Sequence, residues 1–189
     1  MSSHHIIREK QEPALLVFSL AHFSDEELGQ LLEWSPTILT TGSTAEQLAV
    51  YGIKVDYVIG DNSPMLGQAH VKAIALAGQN ELEAALNFLV EQGYPAVNML
   101  TDELNWSVYE AYVPRINLVV FYQGQKIYAV NSGFWKWKPK GEKITLLTPV
   151  TNLQTTGLTL VGPQQYQTLQ DGFLSLQFNE PQVFIAEDY

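Results

Sequence analysis

"VDYVIGDNSP", residues Val55 to Pro64, decides how the rest of the chain is read. An apolar run enters Gly60-Asp61 and the chain then turns on Asn62-Ser63-Pro64, which predicts a strand that ends in an acidic loop. Its surroundings repeat that pattern. Upstream, "PALLVFSL" predicts a strand and "SDEELGQLLEW" a helix, with Ser24 as cap and Glu27 three residues on, as a capping box requires. "PTILTTG" is a further strand, and "TAEQLAVYG" a helix closed by Gly52. Downstream, "ELEAALNFLVEQG" is a helix closed by Gly93 and "AVNML" a strand. Strands alternating with helices of this length predict an α/β half with a mainly parallel sheet covered on both faces.

From Ile116 the pattern changes. "INLVVFYQGQKIYAVNSG" reads as two strands around a Gln-Gly turn, and "KITLLTPV", "LTLVG", "FLSLQFN" and "QVFIAED" follow as short strands, so the second half is predicted all-β, a small sandwich or barrel. "FWKWKPK" alternates, placing Trp135 and Trp137 on one face of a strand and Lys136 and Lys138 on the other. Those lysines are expected on a solvated edge, and Glu187 and Asp188 in solvent. Trp34 is expected to pack where its helix closes, and His22 and His70 to lack acid-base partners.

The 189 residues, 46% hydrophobic and 16% charged, suffice for a proper core. No apolar run approaches the roughly 20 residues of a membrane span, and "MSSHHIIREKQEP" lacks the order of a signal peptide, so a cytoplasmic address is expected. His4 and His5 in that segment read as chance or a tag remnant rather than a metal site. The absence of cysteine excludes disulfides and thiolate chemistry. A net charge of −10 argues against nucleic acid and anionic membranes as partners. Between Gln11 and Pro114 only Lys54 and Lys72 are basic, so a phosphate site in the first half would rest on backbone amides, carboxylate-held metal or those two lysines.

Ligands of parallel sheets bind beyond the strands' carboxyl ends. Three such ends carry polar loops: "TTGST", where Gly42 lets backbone approach a ligand, "GDNSP", and "TDELNW". Asp61, Asp102 and Glu103 are expected to converge there, with Glu81 at the start of the intervening helix. Gathered carboxylates suit Mg²⁺, and the same acids also suit helix caps or ordinary loop positions.

The order of "GIKVDYVIGD", the "ELEAAL" helix, a polar strand-end loop, then "GEKITLLTPV" and "TTGLTL" resembles the thiamine pyrophosphokinase family from about Leu15 onward. The resemblance implies transfer of a diphosphoryl group from ATP to thiamine. It implies a Rossmann-like catalytic domain over residues 1–122, a thiamine-binding β-sandwich over 123–189, and a homodimer with thiamine between subunits. Mapped onto this chain, the catalytic acids are Asp61, Glu81, Asp102 and Glu103, with Asp61 and Glu81 holding Mg²⁺. Gly42, Gly60 and Asn105 would face ATP, and Asn179 and Trp106 the substrate.

This chain departs from the family motifs. Thr41, Gly42, Ser43, Thr44 and Ala45 stand where the family has Asp-Gly-Gly/Ala-Ala-Asn, and Ser63 replaces the second acid of Gly-Asp-x-Asp-Ser. The family's Gly-Gly-Arg-x-Asp-His falls on Thr101 to Trp106, so Glu103 replaces arginine, Asn105 aspartate and Trp106 histidine. Leu160 stands where the family has a thiamine-facing tryptophan. The expected function is therefore a catalytically impaired relative that binds thiamine or a related small molecule at a dimer interface, with Trp106, Trp135 or Trp137 as stacking candidates. The alternative is an active diphosphokinase, using ATP and Mg²⁺, with a rebuilt acidic site.

Overall fold

The computed structural model describes residues 13–60 and 70–189. Asp61, Asn62, Ser63 and Pro64, and also His4 and His5, lie outside the described residues. The chain divides into two compact units, one running to Leu118 and the other from Val119. Among the described residues, no helix is long and apolar enough to cross a membrane.

In the first unit the strands are β1 (Ala14–Val17), β2 (Ile38–Thr41), β3 (Tyr57–Ile59), β4 (Lys72–Ile74) and β5 (Ala96–Leu100). They lie in the order β5-β1-β2-β3-β4 and every pairing is parallel. Strand β1, flanked by β5 and β2, is buried at all four residues, as expected of a parallel strand covered on both faces. Among the described residues four helices accompany the sheet: α1 (Asp25–Leu32), α2 (Gly42–Val50), α3 (Glu81–Glu91) and α4 (Trp106–Tyr112). The capping box at α1 forms as the sequence predicts, Glu27 N donating to Ser24 Oγ at 3.2 Å and Ser24 N to Glu27 Oε2 at 2.7 Å. Asn80 caps α3 through Glu83 N at 2.9 Å.

The sequence reading overlooked β4 and α4. It also read "TTGST" as a loop, whereas β2 passes directly into α2, with Thr41 at the N-cap position and Gly42 as the first helical residue. The hydroxyls of that segment serve the junction itself: Thr44 Oγ1 donates to Phe18 O at 3.0 Å and Thr41 Oγ1 to Thr44 Oγ1 at 3.2 Å. Trp34 does not pack as expected and is 70% exposed beyond α1.

The second unit is antiparallel. Its strands are β6 (Asn117–Tyr122, entering from the first unit), β7 (Gln125–Val130), β8 (Phe134–Lys138), β9 (Lys143–Leu146), β10 (Gln154–Thr156), β11 (Leu158–Gly162), β12 (Gln165–Thr168), β13 (Gly172–Gln177) and β14 (Val183–Asp188). One sheet runs β11-β12-β9-β14-β7-β6 and a second runs β10-β13-β8. Gln123 and Gly124, both at positive φ, form the predicted β6–β7 turn. Val130, Ile144, Leu146 and Ile185 of the larger sheet share one apolar cluster with Leu174 and Leu176 of the smaller. Gly157 turns the chain from β10 into β11 at φ +74°, and a Cβ there would lie 2.7 Å from Phe173 O. Gly157→Ala should therefore cost about 2 kcal/mol, read as a fall of about 6 °C in melting temperature. An unchanged melting curve would show that the corner tolerates a side chain.

The outward and inward sides of β8 are the reverse of a solvated lysine edge. Trp135 and Trp137 face solvent, while Lys136 and Lys138 turn in toward Glu187, which is only 3% exposed. Lys136 Nζ donates to Glu187 Oε2 at 2.7 Å, Lys138 Nζ lies 3.1 Å from the same oxygen, and Tyr128 OH donates to Glu187 Oε1 at 2.7 Å. The expectation of a solvent-exposed Glu187 is thus corrected: β14 runs between β7 and β9, which buries Glu187 opposite three donors, while Asp188 at the strand end is exposed as expected.

Candidate functional site

The carboxyl ends of β1 and β5, adjacent in the sheet, open into a cavity of about 480 Å³. Phe18 and Ser19 come from the end of β1, Thr101, Asp102, Glu103 and Asn105 from the end of β5, Asn80 and Glu81 from the start of α3, and Tyr109 from α4. This is where a parallel sheet places ligands.

Local hydrogen bonds hold the walls. Thr101 Oγ1 donates to Glu103 O and accepts from Glu103 N, both at 3.1 Å, so the strand end folds back on itself. Tyr109 OH donates to Glu103 O at 3.2 Å. Burial pushes the Tyr109 hydroxyl up to about 12, the Asn105 backbone hydrogen bond opposing and the Glu103 charge reinforcing, so the phenol stays protonated. Asn105 caps α4, its Oδ1 accepting from Val108 N at 3.4 Å, and also accepts from Ser107 Oγ at 2.9 Å. Ser19 Oγ donates to Asp102 Oδ2 and accepts from Ala21 N at 3.1 Å. His22 Nε2 lies 3.8 Å from Asp102 Oδ1, so His22 has the acidic partner that the sequence did not disclose.

Of the residues expected at the site, Glu81, Asp102, Glu103 and Asn105 meet at this cavity. Gly42 and Gly60 are not among its lining residues; Gly60 ends β3 with its N donating to Ile74 O at 2.9 Å. Trp106 opens α4 and meets Tyr109 edge-on, centroids 5.9 Å apart. Asn179 lies in the second unit, in a cavity of about 390 Å³ lined also by Ser132, Asn152, Gln154, Gln177 and Phe178. Ser19, His22 and Tyr109 were missed by the sequence reading. The usable signal for Ser19 was its place two residues beyond the apolar run of β1.

Electrostatically the first cavity is acidic. Among the described residues, Glu81, Asp102 and Glu103 line it and no Lys, Arg or His does. Carboxylate oxygens are the right donor class for Mg²⁺. Among the described residues, however, no three His, Asp or Glu side chains converge as metal ligands, and one oxygen of Asp102 is already taken by Ser19. The described residues alone do not fit a magnesium centre.

No protein-family model and no curated protein sequence matches the chain. Solved structures do. Thiamine pyrophosphokinase from Bacillus subtilis superposes with a TM-score of 0.71 at 12% identity, covering 94% of this chain and 99% of that one. Thiamin pyrophosphokinase from Candida albicans gives 0.67 at 12% identity, covering 94% and 89%. The yeast enzyme gives 0.66 at 10% identity, covering 98% and 88%. The chain has the thiamine pyrophosphokinase fold. Within the thiamine pyrophosphokinase fold the acidic cavity lies in the parallel unit and the amide-lined cavity in the antiparallel one. Three of the expected motif departures, Glu103, Asn105 and Trp106, fall at the end of β5 and the start of α4, against the first cavity or beside it.

Proposed function

We propose that this chain is a thiamine pyrophosphokinase-like protein, impaired in diphosphoryl transfer, that binds thiamine or a related small molecule at a homodimer interface. In this reading the first unit is a Rossmann-like catalytic domain that has lost its phosphate grip, the second is a β-sandwich that keeps the ligand, and the protein is cytoplasmic. The observation that carries it is the charge of the first cavity: among the described residues, three carboxylates and no basic side chain line it. A triphosphate entering it would be repelled, whereas a cationic heterocycle would be attracted. In the second cavity Asn152, Gln154, Gln177 and Asn179 offer donors and acceptors without charge, beside the aromatic ring of Phe178.

The second reading is an active diphosphokinase that rebuilds its metal site. In its favour, Glu81, Asp102 and Glu103 line one cavity beyond the strand ends. Mg²⁺ would then supply the charge neutralisation that ATP requires.

Titration calorimetry separates ligand classes. Thiamine should bind with a Kd in the micromolar range, about −8 kcal/mol, while ATP with Mg²⁺ gives no saturable heat. Asn179→Leu should weaken thiamine binding about tenfold, or about 1.4 kcal/mol. Silence toward thiamine at about 1 mM, or ATP binding more tightly than thiamine, would overturn the proposal.

A further inference from the structure

The polar cluster around Glu187 holds more cations than it has acceptors. Lys126 stands opposite Glu187 on β14 and Phe121 on β6, and Tyr128 follows two residues on, so these four side chains share one face of the larger sheet. Lys136 and Lys138 reach the same face from β8. Both oxygens of Glu187 are taken: Oε2 by Lys136 at 2.7 Å and Lys138 at 3.1 Å, Oε1 by the Tyr128 hydroxyl at 2.7 Å. Glu142 serves Lys138 as well, at 3.3 Å. Lys126 is the cation left over. Among the described residues its Nζ has neither a hydrogen-bond acceptor nor an ion pair, and it lies 6.0 Å from the ring centroids of both Phe121 and Tyr128.

From these observations we propose that Lys126 is a nucleophilic amine that an acyl phosphate acylates, the departing phosphate being received by Lys136 and Lys138.

Three arguments select that chemistry. The first concerns the nucleophile. A lysine attacks only as the free amine, and a half-buried position beside other cations favours that form. Burial pulls the Lys126 ammonium below its ordinary range, the Lys136 charge adds to this, the Glu187 charge offsets it only in part, and the Lys138 charge lowers it further. The second concerns the leaving group. Lys136 engages Glu187 and Tyr128, and Lys138 engages Glu187 and Glu142, so each ammonium keeps one N–H donor unspent for a phosphate oxygen. A cationic electrophile would be repelled at the same place. The third concerns the product. Acylation turns the unmatched ammonium into a neutral amide and leaves Glu187 with the two lysines that already bind it.

In the step itself the lone pair of Lys126 Nζ attacks the acyl carbon and forms the C–N bond. The C–O bond to phosphorus's oxygen breaks, its electron pair leaves with inorganic phosphate, and the amine proton passes to solvent. Lys126 lines neither cavity, so acylation there is independent of the ligand reading above.

The test is site-resolved mass spectrometry of the full chain incubated with acetyl phosphate at neutral pH. Lys126 should be acetylated at least about tenfold faster than the exposed Lys54, Lys140 and Lys143. In the urea-unfolded chain that preference should vanish, because nothing adjacent in sequence creates it. Acetyl N-hydroxysuccinimide ester, which carries no phosphate, should give Lys126 a smaller lead, and added inorganic phosphate should slow acetyl phosphate at Lys126 without slowing the ester. Lys136→Met removes a repelling charge and a phosphate donor and opens Glu187 to Lys126, so it should slow acetylation of Lys126 by acetyl phosphate about tenfold. Should that variant misfold, the wild-type rates still decide. Lys126 reacting no faster than the exposed lysines, a lead that survives unfolding, or an equal lead with both reagents would each overturn the assignment, as would a folded Lys136→Met chain acetylated at the wild-type rate.

Discussion

Incubated with thiamine, ATP and Mg²⁺, the purified chain should form no thiamine diphosphate above background by mass spectrometry. Phosphoryl transfer draws nearly all its catalysis from positioning and from neutralising the phosphate charge. Removing one electrostatic donor at a transition state costs on the order of 10²–10³ in rate. Here the resemblance puts Glu103 in place of an arginine, which reverses a charge rather than deleting it. At about 4 Å a unit charge pair is worth about 4 kcal/mol in an effective dielectric near 20, and the exchange turns that attraction into repulsion. Asn105 and Trp106 alter two further positions, and although such losses do not simply multiply, a deficit of at least about 10⁴ against a working enzyme is expected. Restoring Ser63→Asp alone should not revive turnover, because Glu81, Asp102 and Glu103 still line the cavity and none of its described lining residues is basic. Product that appears with the wild-type chain and vanishes in Asp61→Ala would replace the impaired reading with a rebuilt acidic site.

How far the sequence led depended on whether the signal was local. The α1 capping box, β1, β5 and the Gln123-Gly124 turn are set by neighbours within a few residues and were legible. Strands β10 and β12 were not, because Gln154-Thr155-Thr156 and Gln165-Tyr166-Gln167-Thr168 are largely polar and carry no apolar alternation. Short α4 was hidden behind a polar stretch whose Asn105 cap reads equally as loop. The pairing of Asp102 with Ser19 and His22 spans some 80 residues and exists only because β1 and β5 are neighbours. In "FWKWK" the alternation was visible, but alternation defines two faces without saying which is inside. Hydrophobicity favours burying tryptophan; a carboxylate on β14, about fifty residues away, reverses the choice.

That carboxylate carries the second large expected effect. Glu187→Leu should destabilise the second unit by about 3 kcal/mol, since it takes the acceptor from the Tyr128 hydroxyl and leaves Lys136 only that hydroxyl, and Lys138 only Glu142, as partner. A fall of about 10 °C in the near-ultraviolet melting signal follows. Glu187→Gln, which keeps an acceptor and loses the charge, should fall between. Glu187→Leu combined with Lys136→Met and Lys138→Met should recover much of the loss, because a buried ion network is often matched by apolar side chains of similar volume. The pH dependence gives an independent check. Burial pushes the Glu187 carboxyl up, but hydrogen bonds from Lys136 and Tyr128 and the Lys136 charge outweigh it and hold the group below its ordinary value. A depressed carboxylate stabilises fully above its unfolded value, about 4.3, and that contribution drains away as pH falls through the lower folded value. Burial pulls the Lys138 ammonium down, but the hydrogen bond to Glu187 and its charge prevail and raise it, so its contribution is present at neutral pH and lost only above the unfolded value in strong alkali. Wild-type stability should therefore drop in acid below about pH 4, while Glu187→Gln flattens that limb. A Glu187→Leu chain that melts like the wild type at pH 7 would mean that the two lysines swing to solvent at no cost, and that the tryptophans face outward for some reason other than the charge beneath them.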